Sequence, residues 1–201
     1  MGVMRSNAVL LVASLTAAAA IAGNPASTAT LWVHIDTWIG IPHSYATVGL
    51  AIAAAWHDLR YVKKLRVTLG EDQPLYQKAW ASTREAELNN TGIPRYSLRY
   101  SSASCPDVVF RAAFPFNFSL PQQCTDTVLL LHATAETGRL WDIMQPASHF
   151  VPWQVLGGWP RLAVVTPSRW SAAAFESAGI RPFVIPHGVG KHFRVGSFST
   201  K

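Results

Sequence analysis

The sequence predicts an α/β domain: a mostly parallel sheet with helices on both faces. Three observations predict it. Short apolar runs recur from Thr30 onward, each bounded by polar, glycine or proline residues. The runs are continuous rather than alternating, as expected of strands buried on both faces. Helix-like or turn-rich stretches separate them, the alternation that builds parallel sheets. At 201 residues the chain can bury the core of one ordinary domain and would be cramped as two. A composition of 49% hydrophobic and 14% charged residues, with 8 Trp and 9 Phe, belongs to a compact protein and excludes a disordered or fibrous one.

Residues 1–22 form a segment of their own. Met1 to Asn7 carries Arg5, Ala8 to Ala22 is almost wholly small or apolar, and Ala20-Ile21-Ala22 has the small-x-small form of a cleavage site. This reads as a secretory signal peptide, which would place the protein in the secretory pathway or outside the cytoplasm. The apolar stretch is short for a bilayer of roughly 30 Å, which needs about 20 residues. A membrane anchor, and with it membrane association, is therefore the second reading. A plain leader, with a cytoplasmic protein behind it, is the third.

The expected strands are Leu31 to Ile35, Val67 to Leu69, Val108 to Phe110, Val128 to Leu131, Leu162 to Val165 and Phe183 to Ile185. Between the first two, Val48, Ala51, Ile52, Ala55, Trp56 and Leu59 recur at helical spacing, which predicts a helix that Ser44 caps with this face buried. Near the end, Ser168 is expected to cap a second helix with Trp170, Ala174 and Ala178 on one face, and Gly179 to stop it. Leu75 to Leu88, set between turns, is a third candidate helix, and Gln145 to Pro160 reads as an irregular packed connection.

The net charge of +6 favours anionic partners, but the basic residues are dispersed. Only Arg60 to Arg66 is dense, and a solvated helix end or strand entrance explains it. Zinc-finger spacing, an RNP-like motif and a long basic helix are all missing, so no nucleic-acid partner is expected. The sequence also lacks G-x-G-x-x-G, G-x-S-x-G and H-E-x-x-H, which removes the usual signals for a dinucleotide cofactor, a serine nucleophile and a metal. Neither cofactor nor metal is expected. Cys105 and Cys124 are too far apart in sequence for a C-x-x-C pair. In an oxidising compartment they could form a disulfide, and Asn89-Asn90-Thr91 and Asn117-Phe118-Ser119 would be glycosylation acceptors; otherwise both cysteines are core thiols.

Two places invite chemistry. The turn from Asp36 to Tyr45 joins the first strand to the first helix at the carboxyl edge, where open α/β folds bind ligands. Gly40 would let backbone approach a bound group, and the helix start after it suits a phosphate. His132 directly follows the run Leu129 to Leu131 and should emerge at the same edge. It is the first choice for a functional histidine, beside a structural reading in which a backbone carbonyl satisfies it. For His34, within a strand, and His57, on a helix, the structural reading is preferred.

The strongest pattern is Ala163 to Phe193, AVVTPSRWSAAAFESAGIRPFVIPHGVGKHF. It resembles the end of the first domain of GT-B glycosyltransferases of the family 4 type: a strand, a Pro-Ser-x-Trp cap, a helix ending at Ala-Gly, and a strand ending in Ile-Pro-His-Gly-Val. The opening turn IGIPHSYA resembles that family's first glycine loop more loosely, and the middle third matches only in strand rhythm.

The resemblance implies a Rossmann-like domain over 30–193, the acceptor-side half of an enzyme that moves a sugar from a nucleotide-sugar donor to a carbohydrate or other hydroxyl acceptor with retention of configuration. It implies a catalytic role for His132 against the transferred sugar. Donor-phosphate or substrate binding would fall to Gly40, Ile41, His43, Ser44, Ser168, His187 and Gly188, the last two also forming a hinge. A donor domain should follow Phe193, with 194–201 as the start of the linker, so this chain is expected to be inactive alone. The competing reading is a non-catalytic carbohydrate- or protein-binding module of the same fold. A third is a secreted α/β enzyme of another kind.

Overall fold

The computed structural model describes residues 30–37, 44–60, 64–70, 92–97, 104–112, 116, 118–135 and 159–186. The expected leader, the turn at 38–43, the helix Leu75 to Leu88 and most of the Gln145 to Pro160 connection lie outside these residues. So do both glycosylation asparagines and the end from His187 onward.

Seven strands form one sheet: β1 (Leu31–Thr37), β2 (Leu65–Gly70), β3 (Arg95–Tyr96), β4 (Val108–Ala112), β5 (Val128–His132), β6 (Leu162–Thr166) and β7 (Phe183–Val184). Their order is β3-β2-β1-β4-β5-β6-β7, and every neighbouring pair is parallel. This is an open, Rossmann-like α/β sheet. The continuous apolar runs of β1, β2, β4, β5 and β6 are strands covered on both faces, whereas Phe183 and Val184 of β7, at the sheet edge, are exposed. Val33, Ile35, Val108, Phe110, Val128 and Leu130 pack on one side with Ala53 and Trp56 of helix α1 (Ser44–Asp58). Val109, Leu129, Leu131 and Val164 pack on the other with Ala174 and Phe175 of helix α2 (Arg169–Ser177).

Both helices are rotated from the faces that their spacing suggests. In α1 the buried residues are Tyr45, Ala46, Gly49, Ala53 and Trp56, while Ala51 is exposed. The helix is apolar nearly all round, so hydrophobic periodicity selects its face poorly, and the close approach at Gly49 helps to set it. A Cβ at Gly49 would stand 2.5 Å from Thr37 Cβ and 2.7 Å from its Cγ2. Only glycine permits that approach. The helix also starts at Ser44 itself rather than one residue later.

In α2 Ser171, Ala172, Ala174 and Phe175 face inward and Trp170 is 57% exposed. Polar Ser171 takes an inward place because its hydroxyl finds backbone partners: Oγ accepts from Ala135 N and donates to Ala135 O. The expected ends of α2 are present. Ser168 caps it, accepting a hydrogen bond from Ser171 N at 3.1 Å. Gly179, at φ +82°, stops it: Gly179 N donates to Glu176 O and Ile180 N to Phe175 O, with Ile180 and Phe175 in one apolar cluster.

The amino edge is tied by backbone and covalent links. Asp107 Oδ2 accepts from Trp32 N at 2.7 Å, and Thr127 Oγ1 donates to Pro106 O. Cys105 and Cys124 are joined in a disulfide across a sequence separation of 19. The basic cluster is a helix end and strand entrance, as its composition suggests: Arg60 donates to His57 O at the end of α1, and Arg66 lies over the Trp32 ring at 4.1 Å. Among the described residues no helix is long and apolar enough to cross a membrane.

Candidate functional site at the sheet's carboxyl edge

The strand order fixes where a site can form. From β1 the chain steps outward to β2 and β3, then returns to place β4 on the other side of β1. The strand order therefore reverses between β1 and β4, and the carboxyl ends of such a pair are the usual ligand position in open α/β sheets. The register sets Asp36 beside Arg111 and Thr37 beside Ala112 at that point.

Two polar links tie this edge together. The Thr37 hydroxyl lies 2.9 Å from Tyr45 O and 3.0 Å from Ala112 O, so its single proton joins the first turn of α1 to the end of β4. On the opposite sheet face, Arg111 Nε donates to Asp36 Oδ2 at 2.8 Å and Nη1 donates to Ser119 O at 2.8 Å. The Arg111 side chain is 6% exposed and that of Asp36 25%. A guanidinium removed from water in this way is costly without such partners. The pair thus ties β1 to β4 at the switch between them.

His132 ends β5, next to β4, and is 3% exposed. It belongs to the α1 side of the sheet, where its ring meets Tyr45 edge-on at 6.1 Å and Phe110 at 6.2 Å between centroids. One strand further, Thr166 ends β6 fully buried, and Ser168 follows as the cap of α2. The Ser171–Ala135 bonds tie the start of α2 to the turn just after His132.

Of the residues that the sequence singles out, His132, Ser44 and Ser168 therefore gather along one edge, at the ends of β5 and β6 and the start of α1. Ser168's oxygen is engaged by the cap. Gly40, Ile41, His43, His187 and Gly188 lie outside the described residues. His34 is buried with Nδ1 3.0 Å from Thr68 Oγ1, which also accepts from Trp32 Nε1. Among the described residues no three His, Cys, Asp or Glu side chains gather as a metal site would require.

Sequence reasoning placed Asp36 and Thr37 in the candidate ligand turn, whereas they are the last two residues of β1. It missed Arg111 as a site residue, although a polar residue near the carboxyl end of an apolar run, in a fold that binds ligands at that edge, was a signal. Arg111 read instead as the boundary of its strand.

The fold and this edge define an open, doubly wound α/β domain with Asp36, Thr37 and Arg111 at its switch point. No protein family, no curated protein and no solved structure matches the chain.

Proposed function

We propose that this chain is the acceptor-side domain of a retaining glycosyltransferase that moves a sugar from a nucleotide-sugar to a carbohydrate or other hydroxyl acceptor. The observation that carries the reading is His132 at the carboxyl end of β5, beside the first turn of α1. The resemblance over Ala163 to Phe193 supports it, since the described part of that run has the strand, serine cap, glycine stop and strand in the expected order. The seven parallel strands suit the Rossmann-like half of a two-domain transferase.

Such a transfer needs the acceptor hydroxyl held in line and donors aimed at the departing phosphate, so positioning and electrostatics supply most of the rate. His132 would hydrogen-bond the sugar in transfer. The Asp36–Arg111 pair would fix the edge of the sheet against which the acceptor is oriented. A second reading, a binding module without turnover, is favoured by the depth of His132, packed between Tyr45 and Phe110.

Titration of the purified protein with methyl hexosides and alkyl glycosides, followed by amide NMR, tests the proposal. The acceptor should shift resonances of Asp36, Tyr45, Arg111 and His132, and His132→Gln should lose the response while keeping the fold. In any active transferase containing this domain, the same variant should abolish transfer. Response to every glycoside only at other surfaces would sink both readings, and unchanged transfer by His132→Gln would leave the binding module.

A further inference from the structure

A second site opens at the opposite edge of the sheet and is independent of the proposed transferase reading. Arg161 precedes β6 and Thr127 precedes β5, so both mark amino ends. Between them and the segment 118–125 lies a cavity of about 340 Å³, within the usual range for small-molecule pockets. Phe118, Leu120, Cys124 and Trp159 give it apolar walls, and Gln122 and Arg161 are among its polar lining residues.

Its walls are held in place. The disulfide anchors Cys124 to the entrance of β4, and Cys124 N donates to Pro121 O. Across the cavity, Leu162 N donates to Trp159 O and Leu129 N to Arg161 O. A pocket fixed by backbone bonds loses little entropy when it is filled.

Arg161 supplies the chemistry. Its Nη1 donates to Thr125 O and to Asp126 Oδ1, the latter at 2.6 Å. Among the described residues, these are its bonds; Nε and Nη2 have none. The side chain is 35% exposed, so part of it is open to a ligand. Two parallel N–H groups on one edge of a guanidinium match the two oxygens of a carboxylate. Asp126 already balances part of the charge, which suits a monoanion better than a phosphate dianion, and the apolar walls want a hydrocarbon body.

We propose that this pocket binds a small aryl or short-chain acyl carboxylate, its hydrocarbon against Trp159 and Phe118 and its carboxylate on Arg161 Nε and Nη2. Phenylacetate is the probe, with phenylacetamide as its neutral counterpart, in titrations of the full chain followed by calorimetry and by the Trp159 indole N–H resonance. Phenylacetate should bind and shift that resonance, and phenylacetamide should bind about tenfold more weakly or worse, as loss of a charge-assisted bond predicts. Arg161→Gln should lose the same factor, Arg161→Lys should recover part of it, and Asp126→Asn should tighten binding. Thermal melts of each variant establish that the fold is kept. Equal binding of the acid and the amide, unchanged binding by Arg161→Gln, or no response at Trp159 would each overturn the proposal.

Discussion

The two edges of the sheet differ in the polar groups that they hold. At the amino edge they terminate strands: Asp107 and Thr127 bond to backbone, a disulfide closes a loop, and Arg161 meets an Asp126 side chain that is 91% exposed. At the carboxyl edge, charged and hydroxyl side chains are drawn into the sheet. Thr37, Arg111, His132 and Thr166 are all buried there. Buried polar groups destabilise unless partnered, and Thr37 and Arg111 have their partners in the links that join β1, β4 and α1.

The sharpest break in that comparison should come from its two ion pairs. Arg111→Ala removes the buried guanidinium that donates to Asp36 Oδ2 and Ser119 O, and about 3 kcal/mol of unfolding free energy should go with it. Asp126→Asn, in the exposed pair, should change it by less than about 1 kcal/mol. Urea denaturation of both variants measures the gap, and equal losses would erase the distinction between the edges.

Reducing the Cys105–Cys124 bond frees a loop of about 20 residues, and loop entropy puts the loss near 3 kcal/mol. Because this staple serves the amino edge, glycoside-induced shifts at His132 should survive mild reduction in the protein that remains folded. Gly49→Ala acts on the other edge: its Cβ forces Thr37 and α1 apart, and roughly 2 kcal/mol should be lost, with the Tyr45 and Thr37 amides exchanging faster.

The smallest effect expected lies at the end of α1, before the entrance to β2. Burial, then the positive charge of Arg60, holds His57 below its usual value of 6.5, with Asp58 opposing them. The unfolded chain therefore binds more protons than the folded one as the pH drops below 6.5. His57's contribution is full above that value and is lost as the pH falls through the depressed one. In His57→Gln, denaturation midpoints measured on either side of 6.5 should differ less than in the parent.

Much of the fold was legible because sheet burial is written locally. Six of the seven strands announce themselves as apolar runs, and Ser168 and Gly179 mark the ends of α2 by their own chemistry. β3 did not: it is two polar-leaning residues, Arg95 and Tyr96, held by pairing with β2. The faces of α1 and α2 escaped because the closeness of Gly49 to Thr37, and of Ser171 to Ala135, depends on parts of the chain far apart in sequence. At the site, His132 stood out as a histidine ending an apolar run. The partnership of Asp36 with Arg111 had no local trace, since each residue alone looks like the polar end of a strand.

The three polar links between β1 and β4 share one property. Trp32 with Asp107, Asp36 with Arg111 and Thr37 with Ala112 are each separated by 75 residues. Closing a loop of that size costs about 4 kcal/mol of chain entropy, but it is incurred once. Whichever link forms first brings the other two within reach, so the centre of the sheet should form as a single event. Slipping the register by one residue would break all three links and turn the apolar residues of β4 to the wrong faces. β1 and β2 can pair while the rest of the chain is still being made, but the polar edge exists only after β4 arrives.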